Sequence, residues 1–497
     1  MGIAREPALR TARPGHRLRL QGLSPPRNRD DLHRVSRCFH QHGDPGARQA
    51  VGFSHPPDPG HPPAASLRTP ERCEPPSDRA GAAGTRESGT RTAPRHSAHS
   101  PHRRGAMSGT RIALLAAFPF PAPLGSQHYC AEQAGALARA GAHVTLFCYA
   151  RGEGSIPDGI RVIRTPRSLS PRALRAGPSP GKPPADLALA ATFLRRSRAE
   201  DFDAVLAHNA EAAAIALAVR AVGGPPVVYV AHALLGCELD AWAPGWLAGT
   251  ARSGGALADR WLASRADAVV ALCDAAAAAL RPHARGPIAV LPPGHRAELP
   301  PTHEQKRRVC ARAGVAPGAF ALYTGNVDRY QELPVLAAAA RSTPELPVLV
   351  ATHGDARFET PHVRCVRVTP EEARVLAHTC SLSLVTRRRP GGFPIKLLQY
   401  MEAGCAIVAC EAIAHGLTHD RDAWLVSRDA GPDAFARALR TLNRDPGRRA
   451  RLGRGARATL AAHHDWSSLA PRTLALADEA RGCPPAPRAL ATRSPSP

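Results

Sequence analysis

Lysine is nearly missing from this chain: of 65 basic residues among 497, only Lys182, Lys306 and Lys396 are lysine, and the rest are arginine. No run of about eighteen apolar residues free of charge occurs, which excludes a membrane-spanning helix of ordinary length. The twelve cysteines form no CxxC pair, so the usual zinc and dithiol redox signatures are absent. Several cysteines sit inside apolar strand-like runs, as reduced core thiols of a cytosolic protein would. Also lacking is any helix-turn-helix, zinc-finger or RNP-like pattern, so the net charge of +24 does not carry a nucleic-acid reading. About nine of those charges fall before Met107. The remaining excess suits phosphorylated ligands or an anionic membrane surface equally well.

The apolar content, 43%, is ample for real cores, but it is unevenly placed. Residues 1–106 are rich in Arg, Pro, His, Gly and Ser and show no sustained apolar periodicity. They read as a disordered basic leader, or as sequence upstream of the true start. From Met107 the text changes to short apolar runs alternating with Ala-rich helical runs. Strands are expected at 112–117, 143–148, 204–207, 227–231, 268–272 and 288–291, with helices at 128–140, 185–199, 210–222, 253–265 and 275–280. That rhythm predicts a doubly wound parallel α/β sheet. The proline-bearing stretch 296–306 reads as a linker. A second series follows, with strands at 320–324, 348–351, 363–368, 382–385, 406–409 and 423–426. Its helices are expected at 333–341, 370–379 and 395–403, and helices at 433–444 and 447–463 close the chain. Residues 484–497 read as a disordered tail. Two consecutive Rossmann-like domains, 107–295 and 307–483, face each other across a cleft at the carboxyl ends of their strands, where open α/β sheets bind ligands.

Chemistry concentrates in four places. Residues 391–404, GGFPIKLLQYMEAG, put one of the three lysines at the start of a helix, where free N–H groups and the macrodipole favour an anion. A turn that merely caps a core helix is the alternative. The loop after the first strand, FPFPAPLGSQ, brings Gly125, Ser126 and Gln127 to another helix start; a rigid surface loop is its plainer reading. His208 and His232 stand at equivalent ends of adjacent strands, aimed into the expected cleft and without metal-ligand spacing; a structural role in the core is the alternative. The run YTGNVDRYQE, from Tyr323, turns on Gly325 into a helix start with Arg329 nearby, a resting place for a pyrophosphate. Asp201 and Asp203 mimic a metal-binding DxD, but they precede a strand and read as a solvated junction.

Taken in order, FPFPAPLGSQ, AVLAHN, PVVYVAH, DAVVALCDAAAAAL with IAVLPPGH, LYTGNVDRYQELPVL and GGFPIKLLQYMEAGCAIVA resemble the GT-B-fold, family-4-type (group 1) retaining glycosyltransferases. The resemblance covers about residues 108–480. It implies that the second domain holds a nucleotide diphosphate-sugar and the first receives a glycan or lipid-linked acceptor, with no metal and no cofactor beyond the donor. Carried over by position, it implies donor contacts from Gly325, Asn326, Arg329, Gly392, Phe393, Pro394, Ile395 and Gln399. His208 and Lys396 become the catalytic pair, and Gly125, Ser126, Gln127 and His232 face the acceptor. The departures are specific. The family's phosphate-binding Arg and Lys fall on Asn326 and Gln331, and its two glutamates fall on Gly391 and Gln399. Lys396 and Arg329, helped by Arg387, Arg388 and Arg389, are expected to replace the lost cations, and Gln399 to hydrogen-bond a ribose through its amide. A YQ-bearing and FPIK-bearing variant of the family makes a divergent active branch the preferred expectation. A catalytically silent GT-B partner protein and a non-transferase such as a nucleotide-sugar epimerase are the alternatives. The basic loop 164–182 on the acceptor domain suggests a cytoplasmic protein peripheral to the inner face of the membrane.

Overall fold

The computed structural model describes residues 109–169, 177, 179, 181–354, 357–358 and 360–483. The leader 1–106, the tail 484–497 and the middle of the basic loop lie outside the described residues. The first sheet has seven parallel strands: β1 (Arg111–Ala116), β2 (His143–Cys148), β3 (Ile160–Arg164), β4 (Ala204–His208), β5 (Val227–Ala231), β6 (Ala268–Ala271) and β7 (Ile288–Val290), in the order β3-β2-β1-β4-β5-β6-β7. The second has six, also parallel: β8 (Ala321–Thr324), β9 (Val348–Thr352), β10 (Val363–Arg367), β11 (Leu382–Val385), β12 (Ala406–Cys410) and β13 (Trp424–Val426), in the order β10-β9-β8-β11-β12-β13. Central strands such as Val227–Ala231 and Ala406–Cys410 are buried along their whole length. Helices cover both faces of each sheet, so continuous apolar runs, not alternating ones, are what the sequence needs there. This is the expected pair of doubly wound α/β domains.

Four elements differ from the sequence expectation, each for a physical reason. The edge strand Ile160–Arg164, IRVIR, alternates arginine with branched apolar residues and is only half-buried, so a search for buried runs passes over it. The helix Leu235–Trp242 is short, eight residues, and has no capping side chain to announce it. The helix His303–Ala313 begins inside the stretch 296–306 read as a linker. It is started by a capping box in which Thr302 and Gln305 exchange hydrogen bonds. The chain does not close at 463: a further helix, Trp466–Gly482, follows and packs on the helix Gly125–Arg139 and on β4, β5 and β6 of the first sheet. Its interior Pro471 is what hides it in the sequence.

Asp203, the DxD look-alike, serves the structure. Its Oδ2 accepts from the backbone N–H of Arg111 at 2.7 Å, at the sheet end opposite the strands' carboxyl ends.

Candidate active site

Both sheets present their carboxyl ends to one cleft of about 1450 Å³. Two helix N-termini converge on it. The helix Gly125–Arg139 starts three residues earlier than expected, so Gly125, Ser126 and Gln127 form its first turn instead of a loop. Opposite stands the helix Lys396–Ala403, with Ile395 before it. They come so close that a Cβ on Gly125 would lie 3.4 Å from Ile395 Cγ1. Free N–H groups from both domains therefore face the same space.

Lys396 lies at the centre of the second domain's wall. Its ammonium sits 3.7 Å from the centroid of the Tyr323 ring and donates to Gln331 Oε1 at 3.3 Å. Among the described residues no carboxylate pairs with it. Burial, and secondarily the nearby Arg387 guanidinium, push its pKa well below the ordinary lysine value. Gly325, with φ of +112°, turns the chain just beside it: a Cβ there would meet Lys396 Nζ at 3.3 Å. The positive φ is what calls for a glycine there.

Asn326 and Gln331, where the resemblance implied cations in the family, form a hydrogen-bonded amide pair. Gln331 Nε2 donates to Asn326 Oδ1 at 2.7 Å, and Asn326 Nδ2 donates to the Tyr330 hydroxyl at 2.6 Å. The network leaves Gln331 Oε1 as the acceptor that aims Lys396.

Arg387 enters from the end of β11. It is 6% exposed, lies 5.3 Å from the Tyr330 ring centroid, and donates to Glu238 Oε1 at 2.9 Å across the cleft. Arg388 pairs with Glu332 at 2.7 Å, and Arg389 pairs with Asp240. Arg329 is exposed and does not line the cleft, contrary to expectation. A 3₁₀ turn, Arg329–Gln331, rotates each residue by about 120°, so Gln331 faces inward and Arg329 outward.

Of the other expected donor contacts, Gly325, Asn326, Phe393, Pro394, Ile395 and Gln399 line the cleft with Lys396. Gly392 does not. It is buried behind the wall, pairs with Ala233 in an antiparallel bridge, and its carbonyl accepts from His415 Nε2 at 2.9 Å. On the facing wall Gly125, Ser126, Gln127 and His232 line the cleft.

His208 is fully buried and stands behind His232, so it cannot contact a ligand directly as expected. Its Nδ1 lies 2.8 Å from His232 Nε2. His208 Nε2 is buried without a partner. An unpartnered lone pair costs less than an unpartnered N–H, which assigns the His208 proton to Nδ1 and leaves His232 carrying its own on Nδ1. Burial brings the His208 pKa down to about 3 and, with the help of His208 itself, holds His232 far below its ordinary value. Both rings are neutral near pH 7, and only His232 reaches the cleft.

The sequence reading missed Glu238, Tyr330 and the pair Lys182–Glu211, all of which line the cleft. Lys182 carried a signal, since it is another of the three lysines. Glu238 carried none. Among the described residues no group of three or more His, Cys, Asp or Glu is arranged as metal ligands, and no helix is long and apolar enough to cross a membrane.

Comparison with known proteins follows the same two-part division. Residues 125–294 match the glycosyl transferase 4-like domain, and residues 320–445 match the glycosyl transferases group 1 model. Among solved structures, sucrose-phosphate synthase from Thermosynechococcus elongatus is similar at 16% identity and a TM-score of 0.61, covering 74% of this chain and 98% of that one. HepE from Anabaena in complex with UDP-glucose aligns at 17% identity and a TM-score of 0.56, over 73% of this chain and 99% of that one. WaaG, a glycosyltransferase involved in lipopolysaccharide biosynthesis, aligns at 17% identity and a TM-score of 0.55, over 75% of this chain and all of that one. At such identities the likeness is one of fold. No curated protein sequence matches the chain. The chain is a GT-B-fold protein built from a glycosyl transferase 4-like domain followed by a glycosyl transferases group 1 domain.

Proposed function

We propose that this protein is a glycosyltransferase that moves a sugar from a nucleotide diphosphate-sugar to a hydroxyl of a glycan or lipid-linked acceptor, with retained configuration. The observation that carries this reading is Lys396: a desolvated cation without a carboxylate partner, at a helix N-terminus, in a cleft between two α/β domains. Such an arrangement is complementary to a dianion. When the bond between the anomeric carbon and the diphosphate oxygen breaks, the electron pair leaves with the diphosphate. Lys396 and the N–H groups at the helix start stabilise that charge, with no metal called upon. The acceptor oxygen then bonds to the same carbon, and its proton passes to the departing phosphate oxygen. The narrow approach of Gly125 to Ile395 shields the cationic sugar from water.

Titration calorimetry with UDP- and GDP-sugars tests this. Saturable binding of one donor class, with nucleoside diphosphate released in the presence of lipid-linked acceptors, is the expected result. Binding of neither class would favour the second reading, a catalytically silent GT-B partner. That reading draws on the uncharged Asn326–Gln331 pair and on the engagement of Arg387 by Glu238.

Peripheral attachment to the cytoplasmic face of an anionic membrane completes the proposal. On the first domain, Trp246 is 82% exposed and Leu257 is 63% exposed, with Trp261 one turn beyond Leu257 on the helix Ala248–Arg265. Arg260 and Arg265 are exposed on the same helix. Exposed tryptophans beside arginines suit the headgroup region. Sedimentation with liposomes containing phosphatidylserine should bring the protein down at low salt, and a Trp246→Ser, Trp261→Ser double variant should stay at least fivefold more in solution. Equal sedimentation of both would remove this surface from the proposal.

A further inference from the structure

Gly391 and Gly392, which open the turn before Lys396, have no room for a side chain. Gly391 has φ of +87°, and a Cβ there would meet Cys237 Sγ and Leu234 Cγ at 3.1 Å. A Cβ on Gly392 would lie 2.9 Å from Ala233 Cβ and 3.0 Å from the His232 carbonyl oxygen. The space is already filled by residues 232–237 of the first domain, and Leu234 N–H donates to the Gly391 carbonyl at 3.0 Å. The segment that fills it delivers a carboxylate of its own, Glu238, one turn further along.

Glu238 is firmly placed. The N-terminus of its helix, Leu235–Trp242, is held by the Asp259 carboxylate, which accepts from the N–H groups of Leu235 at 3.1 Å and Gly236 at 2.9 Å. Its Oε1 accepts from Arg387 Nη2 at 2.9 Å, while Oε2 has no hydrogen-bond partner among the described residues. Arg387 in turn rests on Tyr330, whose hydroxyl joins the Asn326–Gln331 network that ends on Lys396. One continuous row of contacts thus runs from the cation of the second domain to a carboxylate of the first, and both ends line the cleft.

We propose that Glu238 is the carboxylate that receives the donor sugar, supplied across the cleft by the acceptor domain, with Arg387 as its positioning residue. This inference rests on the glycosyl-transfer reading above. A diphosphate bound at Lys396 directs its sugar along this row toward Glu238. There the free oxygen accepts from sugar hydroxyls, and the negative charge stabilises the positive anomeric carbon that develops as the diphosphate departs. Sugar recognition is then complete only when the two domains are together. A diphosphate alone, by contrast, needs only the second domain.

The test is Glu238→Gln, which keeps the shape and removes the charge. The full chain and the variant are titrated with UDP and UDP-glucose, and with GDP and GDP-mannose. Release of nucleoside diphosphate by water, with no acceptor present, gives the turnover. The expected result is a split. Affinity for the bare diphosphate stays within threefold or increases, because Arg387 loses its counter-ion. The extra affinity of the nucleotide-sugar disappears, and kcat falls at least thirtyfold. A purely structural role would shift both affinities together and would not spare the diphosphate. A variant kcat within twofold of wild type, with diphosphate bound by both proteins, overturns this inference alone; failure of the wild-type chain to bind either diphosphate overturns the underlying reading. If Glu238→Gln melts below the assay temperature, both proteins are assayed at a temperature where the variant is folded, and a variant kcat within twofold of wild type there overturns the proposal equally.

Discussion

Lys396→Ala is expected to weaken donor binding and to slow turnover at least tenfold each, about 1.4 kcal/mol for each factor of ten. The argument is electrostatic. Lys396 is set over the Tyr323 ring and held by the neutral Gln331 oxygen, so in the free protein its charge is poorly compensated. Burial has pushed its pKa well down, with Arg387 adding repulsion. A bound diphosphate reverses that by placing two negative charges beside the ammonium, which raises the pKa again. The sign of the pH dependence follows. Free lysine loses its proton at a lower pH than bound lysine, so above the lowered free value binding takes up a proton and donor affinity falls as pH rises. Calorimetry in buffers of different ionisation enthalpy should show net proton uptake for the wild-type chain and none for Lys396→Ala. Wild-type affinity and rate in a folded Lys396→Ala protein would sink the assignment. Lys396→Arg should restore little, because a planar guanidinium cannot occupy the slot between Tyr323 and the Gly325 turn.

Lys396 was legible because lysine is so rare here, and a helix start was legible from the Gly-Phe-Pro turn before it and the glycine stop at Gly404. The strands were legible for a related reason: parallel strands buried on both faces must be written as unbroken apolar runs, and Val227–Ala231 and Ala406–Cys410 are. What escaped was whatever depends on contacts distant in sequence. Arg387 and Glu238 are 149 residues apart, and nothing local to either announces the other. Arg329 was expected beside the phosphate and instead faces outward, because in the 3₁₀ turn it stands two residues from the inward-facing Gln331. For His208 and His232 the strand-end position was right in both cases, but strand ends differ in depth. The helix Trp466–Gly482, unread in the sequence, places Trp466 against Tyr129, which itself packs on both imidazoles. That layer closes the back of the pair and leaves only His232 at the cleft.

Acid should therefore destabilise the first domain through these two rings. An unfolded histidine titrates near 6.5, whereas His208 in the folded chain titrates at about 3 because burial disfavours its charged form. Between those values the unfolded chain binds more protons than the folded one. Stability is then fully present above about pH 6.5 and is lost as pH falls toward 3, by on the order of 4 kcal/mol from His208 alone. His232 is shifted in the same direction and adds to the loss. Denaturant midpoints measured from pH 7 to pH 4 should fall steeply for the wild-type chain. His208→Leu should flatten that slope, while costing about 1–3 kcal/mol at pH 7 because His232 Nε2 loses its donor. An equally steep slope in the variant would show that the pair is not the acid-labile element. The same proteins separate the roles of the two rings in catalysis. At saturating donor, His208→Ala should change sugar transfer only as far as it disturbs His232 or the fold, whereas His232→Ala, which removes an N–H at the cleft wall, should slow transfer at least tenfold. Equal losses in two equally stable variants would mean that the rings act as a unit, with His208 tuning the proton that His232 presents.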